Sequence, residues 1–159
     1  MNQLREEAVW KRVMAAAAEA PDSCDPPKAP GLTAAQMLEL LEGTLHDGIT
    51  YKTLAARAPK GVRQCLLQLA KEEQVQYRKL EAVYYLMTGV RPCPAKPAAP
   101  CVACLNEELR KRYLRETASA KTYDCMVTKA GPYAGVFHCL AAAETRHAGT
   151  LLHLLERCL

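Results

Sequence analysis

The stretch Leu140-Ala141-Ala142-Ala143-Glu144-Thr145-Arg146-His147 decides how this chain folds. It sets a carboxylate and an imidazole three residues apart, one above the other on a single helix face. That face is the apolar one. Phe137, Leu140, Leu151 and Leu154 continue the stripe on either side, while Arg146, His153 and Glu156 point elsewhere. Two polar groups in an apolar seam need a partner.

An isolated E-x-x-H is a weak signal. An internal repeat strengthens it. Thr50-Tyr51 recurs as Thr122-Tyr123, and Ala58 as Ala130. Leu69, Ala70, Glu73 and Gln76 recur as Leu140, Ala141, Glu144 and His147. The chain therefore reads as two related helical hairpins. Its 159 residues suit one domain with a real core. Half the residues are apolar, but Ala and Leu dominate and only 6% are aromatic, which favours an all-α protein.

Residues 3–20 carry an amphipathic pattern marked by Leu4, Val9, Trp10 and Val13, and residues 21–31 form a Pro-rich linker. The expected domains are thus 1–31, an N-terminal helix and linker, either docked on the domain by Trp10 or serving as an expression or partner-binding arm, and 32–159, a four-helix bundle. Thr33 is the expected N-cap of a first helix reaching about residue 58. Pro59-Lys60-Gly61 turns the chain into a second helix over about 62–87, stopped by Gly89. A third runs over about 105–130, Gly131-Pro132 turns again, and a fourth continues to the end. The short turns make each pair an antiparallel hairpin. The connection over 89–104 is different: sixteen extended residues reach about 50 Å, enough to run the length of a roughly 40 Å helix. Helix 3 is then parallel to helix 2, the ferritin-like connectivity with one long crossover.

Glu116 precedes Tyr123 by seven residues, and Thr44 precedes Tyr51 by the same interval. The second hairpin thus offers Glu116, Glu144 and His147 where the first offers Thr44, Glu73 and Gln76. On these residues the region from about 33 to 158 resembles the ferritin-like superfamily, and its rubrerythrin-like members most. That pattern has Glu on helices 1 and 3 and Glu-x-x-His on helices 2 and 4, around two irons. Four of its six ligand positions are matched here, by Glu73, Glu116, Glu144 and His147. Thr44 and Gln76 depart from it, and both belong to the same iron. The resemblance therefore implies a reduced site with one ion per chain: Glu116, Glu144 and His147 as terminal ligands and Glu73 as the fourth. Asp47, one turn from Thr44, is a substitute ligand to be tested. The resemblance also implies a non-haem, peroxidase-like oxidoreductase acting on peroxide or oxygen, a function that the departures put in question.

A cation also follows from charge alone. Glu73, Glu116 and Glu144 would converge in the interior, and no Lys or Arg falls on the inward stripes; Lys71, Arg78 and Arg146 are off-phase. Buried like charges need neutralising. Mixed oxygen and nitrogen ligation suits iron or manganese, with zinc as an alternative. The rival reading is an empty polar core, with Glu73 bonded to His147 or Tyr51, in a metal-free bundle serving as an interaction or structural protein. Tyr51 and Tyr123 read as core tyrosines that could reach ligand carboxylates.

The remaining features bound the partners. The net charge is only +4, without a basic run interleaved with aromatics, which argues against nucleic acid. Residues 1–7 lack the apolar core of a signal peptide, and no apolar run is long enough to span a bilayer, so a cytoplasmic protein with reduced cysteines is expected. Cys101-Val102-Ala103-Cys104, with Cys93 nearby, is one C-x-x-C. Structural zinc needs four ligands and no second pair exists, so plain thiols, a redox pair and a zinc site completed by a distant Cys all stay open. Cys65, Cys125, Cys139 and Cys158 read as small helix residues. Small residues over 14–20 leave room for a homodimer.

Overall fold

The structure is a computed structural model and describes residues 31–158. The N-terminal helix, Trp10, most of the linker and the small residues over 14–20 lie outside the described residues. Four α-helices carry the rest: α1 (Ala34–Arg57), α2 (Lys60–Thr88), α3 (Leu105–Val127) and α4 (Ala134–Cys158). No helix among the described residues is long and apolar enough to cross a membrane.

The helix ends follow local chemistry. Thr33 caps α1 through a capping box, its hydroxyl accepting from Gln36 N at 3.2 Å while Gln36 Oε1 accepts from Thr33 N at 3.0 Å. Gly89 ends α2 in the left-handed region, at φ 71°, where a residue without Cβ is unstrained. α3 stops at Val127, three residues short of expectation. Gly131, at φ 52°, opens a single 3-10 turn over Gly131–Tyr133 that leads into α4.

Helices α1 and α2 form one hairpin and α3 and α4 the other. Side-chain pairs set their directions. Thr44 meets Tyr123 and Tyr51 meets Glu116, so α1 and α3 are antiparallel. Gln76 meets Glu144 and Glu73 meets His147, so α2 and α4 are antiparallel as well. It follows that α2 and α3 are parallel. The connection between them runs back along the bundle. Arg91 pairs with Glu81 near its start, Ala95 N donates to Glu42 Oε1 at 3.1 Å, and Val102 O accepts from Arg57 at the far end. Buried Pro92 and Val102 fasten it.

The core divides into two apolar clusters. One holds Met37, Leu41, Leu80, Val83, Phe137 and Leu140 at the end where α1 begins, with Tyr123 packed against Phe137 at a centroid distance of 6.2 Å. The other holds Leu54, Leu66, Leu69, Leu109, Leu151 and Leu154 at the opposite end. Burial of these side chains, worth about 1.5–3 kcal/mol each, holds the helices together. Between the clusters lies a polar layer: Thr44, Asp47, Glu73, Gln76, Glu116, Glu144 and His147, all buried.

Candidate metal centre

The polar layer exists because each helix carries acidic or amide residues at positions its own periodicity buries. α2 contributes Glu73 and Gln76, α3 Glu116, and α4 Glu144 and His147, one helical turn apart. Relative exposures of 3%, 0%, 3% and 1% place Glu73, Glu116, Glu144 and His147 fully inside. Each offers one ligand atom, and these atoms all lie within 4.8 Å of one another. The structure thus brings together the four residues named from the sequence, and among the described residues they are the grouping that could hold a metal ion.

His147 orients the site. Its Nε2 donates to Glu72 Oε2 at 2.9 Å, and Glu72 is itself held by Gln68. That bond fixes the ring and leaves Nδ1 facing inward, 3.1 Å from Glu73 Oε1, 3.3 Å from Glu116 Oε2 and 3.9 Å from Glu144 Oε1. No hydrogen bond of proper direction joins the first three: Nδ1, Glu73 Oε1 and Glu116 Oε2 are buried without a hydrogen-bond partner. Buried polar atoms are rarely left so, because each costs about 1–3 kcal/mol. Here the three atoms meet at ion-pair distance without hydrogen-bond direction, and all aim at one spot. Ligands about 2.1 Å from a shared ion lie up to about 4.2 Å apart, so small side-chain movements suffice to close four donors on a divalent cation. The donor set fits one ion.

The repeat is visible as crossed pairs. Tyr51 donates to Glu116, and its counterpart Tyr123 lies 3.3 Å from the hydroxyl of Thr44, the counterpart of Glu116. His147 faces Glu73, and its counterpart Gln76 donates to Glu144 at 2.6 Å. Each hairpin reaches to the other's equivalent position. The first hairpin offers no second set of charged ligands: the Thr44 hydroxyl donates to Leu40 O at 3.0 Å, and Gln76 brings a neutral amide.

The structure corrects or refines several sequence expectations. Asp47 does not substitute as a ligand, because Arg112 Nη1 at 2.5 Å and Arg115 Nε at 3.3 Å claim its carboxylate. The same pair refines the reading that no Lys or Arg falls on the inward stripes: the Arg112 side chain is only 12% exposed. Both arginines lie beside the inward stripe of α3 and cross to α1, which periodicity within one helix does not reveal. Glu73 meets His147 at 3.1 Å as an ion pair without hydrogen-bond direction, and of the two partners expected for it Tyr51 is taken by Glu116 instead. The one signal for the clamp was Asp47 itself, a carboxylate on the buried face of α1.

Cys93, Cys101 and Cys104 are free and exposed and, among the described residues, join no metal-ligating group. Cys65 is free and half-buried, and Cys125 and Cys139 are free and exposed.

Charge in the layer is distributed unevenly. Burial, with repulsion from Glu116 and Glu73, pushes Glu144 up to about 10. Burial pushes Glu73 up to about 7, with His147 opposing and Glu116 reinforcing. Burial would raise Glu116 too, but His147, Glu144 and Tyr51 outweigh it and hold this carboxyl below the usual range. Burial would lower His147, yet the facing Glu116 and Glu73 push it up to about 11. Burial, aided by Glu116, raises Tyr51, and burial raises Tyr123. Without a metal, then, an imidazolium balances Glu116 while Glu144 keeps its proton.

A cavity of about 210 Å³ opens between α1 and α3 and ends on Thr44, Glu73, Glu144 and Tyr123. On the opposite side, a groove between α2 and α4 is lined by Gln64, Cys65, Glu72, Arg146 and His147.

Comparison of the chain with family models, curated proteins and solved structures finds no match.

Proposed function

We propose that this chain is a ferritin-like, rubrerythrin-like protein that binds one iron or manganese ion, with zinc as the alternative, at Glu73, Glu116, Glu144 and His147, and acts on peroxide or oxygen. The carrying observation is the convergence on one point of three buried atoms that make no hydrogen bond, Nδ1 of His147, Oε1 of Glu73 and Oε2 of Glu116. The parallel direction of α2 and α3, with a connection running back along the bundle, supports the ferritin-like part of the proposal.

The chain's own groups have defined work. Glu72 holds the Nε2 proton and presents Nδ1. Tyr51 occupies Oε1 of Glu116 and leaves Oε2 for the ion. Gln76 fixes Glu144. The apolar clusters cover the layer from both ends of the bundle, and this low-dielectric surrounding strengthens the charge interactions inside it. When bound, iron or manganese would supply a Lewis-acidic, redox-active centre for a small oxidant.

One observation favours a second reading, a metal-free bundle serving as an interaction or structural protein: His147 and Glu116 can neutralise each other unaided. Elemental analysis of protein purified without chelator separates the two. The proposal expects about one iron or manganese per chain; the alternative expects none. Glu144→Ala adds a second discriminator. A metalloprotein loses its ion and melts lower, whereas an empty core, relieved of an awkward carboxyl, melts no lower.

A further inference from the structure

The cavity between α1 and α3 has no role in holding the four ligands, yet it leads to them. Glu39, Ala118 and Thr122 stand exposed at its mouth, and buried Glu73 and Glu144 close its inner end. At about 210 Å³ it has room for a small cation with several of its waters, each occupying about 30 Å³. Its walls are acidic: Glu39, Asp47, Glu73 and Glu144 line it, against the single guanidinium of Arg115. Arg115 and, behind it, Arg112 both pair with Asp47, so the carboxylates left to draw a cation are Glu39 at the mouth and Glu73 and Glu144 at the inner end. Glu73, whose Oε1 is unpartnered and which is only 3% exposed, waits at the end. The opposite groove offers a different surface. Its carboxylate, Glu72, is already bonded to His147, and Arg146 stands beside it.

We propose that this cavity is the passage by which a divalent cation reaches the buried centre, with Glu39 capturing it at the mouth and the short side chain of Thr44 keeping the way open. The proposal rests on the metal-binding reading above and gives Thr44 a role beyond that of an absent ligand. A carboxylate-lined cleft with low-dielectric walls raises the local concentration of cations, and its effect falls with salt.

The test follows loading of the full, metal-free chain with Co2+, read by the visible absorption of the bound ion in a stopped-flow instrument. Thr44→Leu plugs the passage and is expected to slow uptake by more than about tenfold, because packed interiors exclude ions, with an unchanged final absorbance. Thr44→Val keeps the shape without the hydroxyl and is expected to load at the wild-type rate. Glu39→Lys, at an exposed position that endangers no fold, is expected to slow loading by about tenfold at low salt, the difference vanishing at high salt. Gln64→Leu, in the opposite groove, is expected to change nothing. Wild-type rates in both Thr44→Leu and Glu39→Lys overturn the passage, as does slowing by Gln64→Leu instead. A wild-type protein that takes up no Co2+ overturns the metal site itself, a distinct failure.

Discussion

Loading the metal-free protein with a divalent ion at pH 7 will release between two and three protons per chain. The count comes from the layer. Glu144 titrates at about 10 and His147 at about 11, so each holds a proton at pH 7. Glu73, at about 7, holds roughly half of one. Glu116 is already ionised. Carboxylate oxygens and the Nδ1 lone pair bind an ion only once those protons leave. At about 1.4 kcal/mol per decade, removing the proton at pH 7 costs about 4 kcal/mol for Glu144 and about 5 kcal/mol for His147. The gross affinity must exceed that sum, which lies within reach of protein sites for divalent transition metals. Apparent affinity should therefore rise by two to three decades per pH unit near pH 7 and flatten as pH approaches 11. Calorimetric titration with Zn2+ in two buffers of different ionisation enthalpy yields the proton count directly. Glu144→Gln, which mimics the protonated carboxyl, should lower the count by about one and weaken binding. A release below one proton, or a count untouched by Glu144→Gln, refutes the reasoning.

Three further outcomes are expected. The metal-free protein should lose stability as pH rises from about 6.5 to 10: His147 and Glu144 both have raised folded-state values, so the native state keeps protons that the unfolded chain has released, at a slope of about 2–3 kcal/mol per pH unit. Urea denaturation at pH 7 and pH 9 checks this, and equal stability at both contradicts it. Arg112→Ala should cost about 1.5–3 kcal/mol, because it strips the closer arginine from the buried Asp47 carboxylate and leaves Arg115 to hold it; a loss under about 1 kcal/mol in urea melts would show that the clamp is idle. The double variant Thr44→Glu with Gln76→His supplies the two ligands that the first hairpin lacks, beside a cavity that can admit the longer acid. It should bind two ions per chain where the wild type binds one, as counted by elemental analysis, and an unchanged count contradicts the assignment of those positions.

Much of this was legible in the residues, and the reasons are local. Helical periodicity and the Thr33, Gly89 and Gly131 signals mark helix ends because capping and left-handed turns depend on a few neighbouring residues. The repeat placed Glu73 against Glu144 and Thr44 against Glu116, and a repeated hairpin carries equivalent positions to one layer. The Asp47 clamp was not legible, since Arg112 and Arg115 act across helices and long side chains reach beyond the face their Cα occupies. Nor was Glu72, off the buried stripe yet holding His147 from outside. Helix periodicity locates a buried acid but not the neighbour that orients it.

The central claim is that a cation belongs among the three carboxylates and Nδ1 of His147. Anomalous diffraction from crystals grown without chelator, collected on both sides of the iron and manganese absorption edges, tests it most directly. One peak within bonding distance of Glu73, Glu116, Glu144 and His147 is the predicted result. A map with no anomalous density there, with Nδ1 hydrogen-bonded to a carboxylate instead, contradicts it.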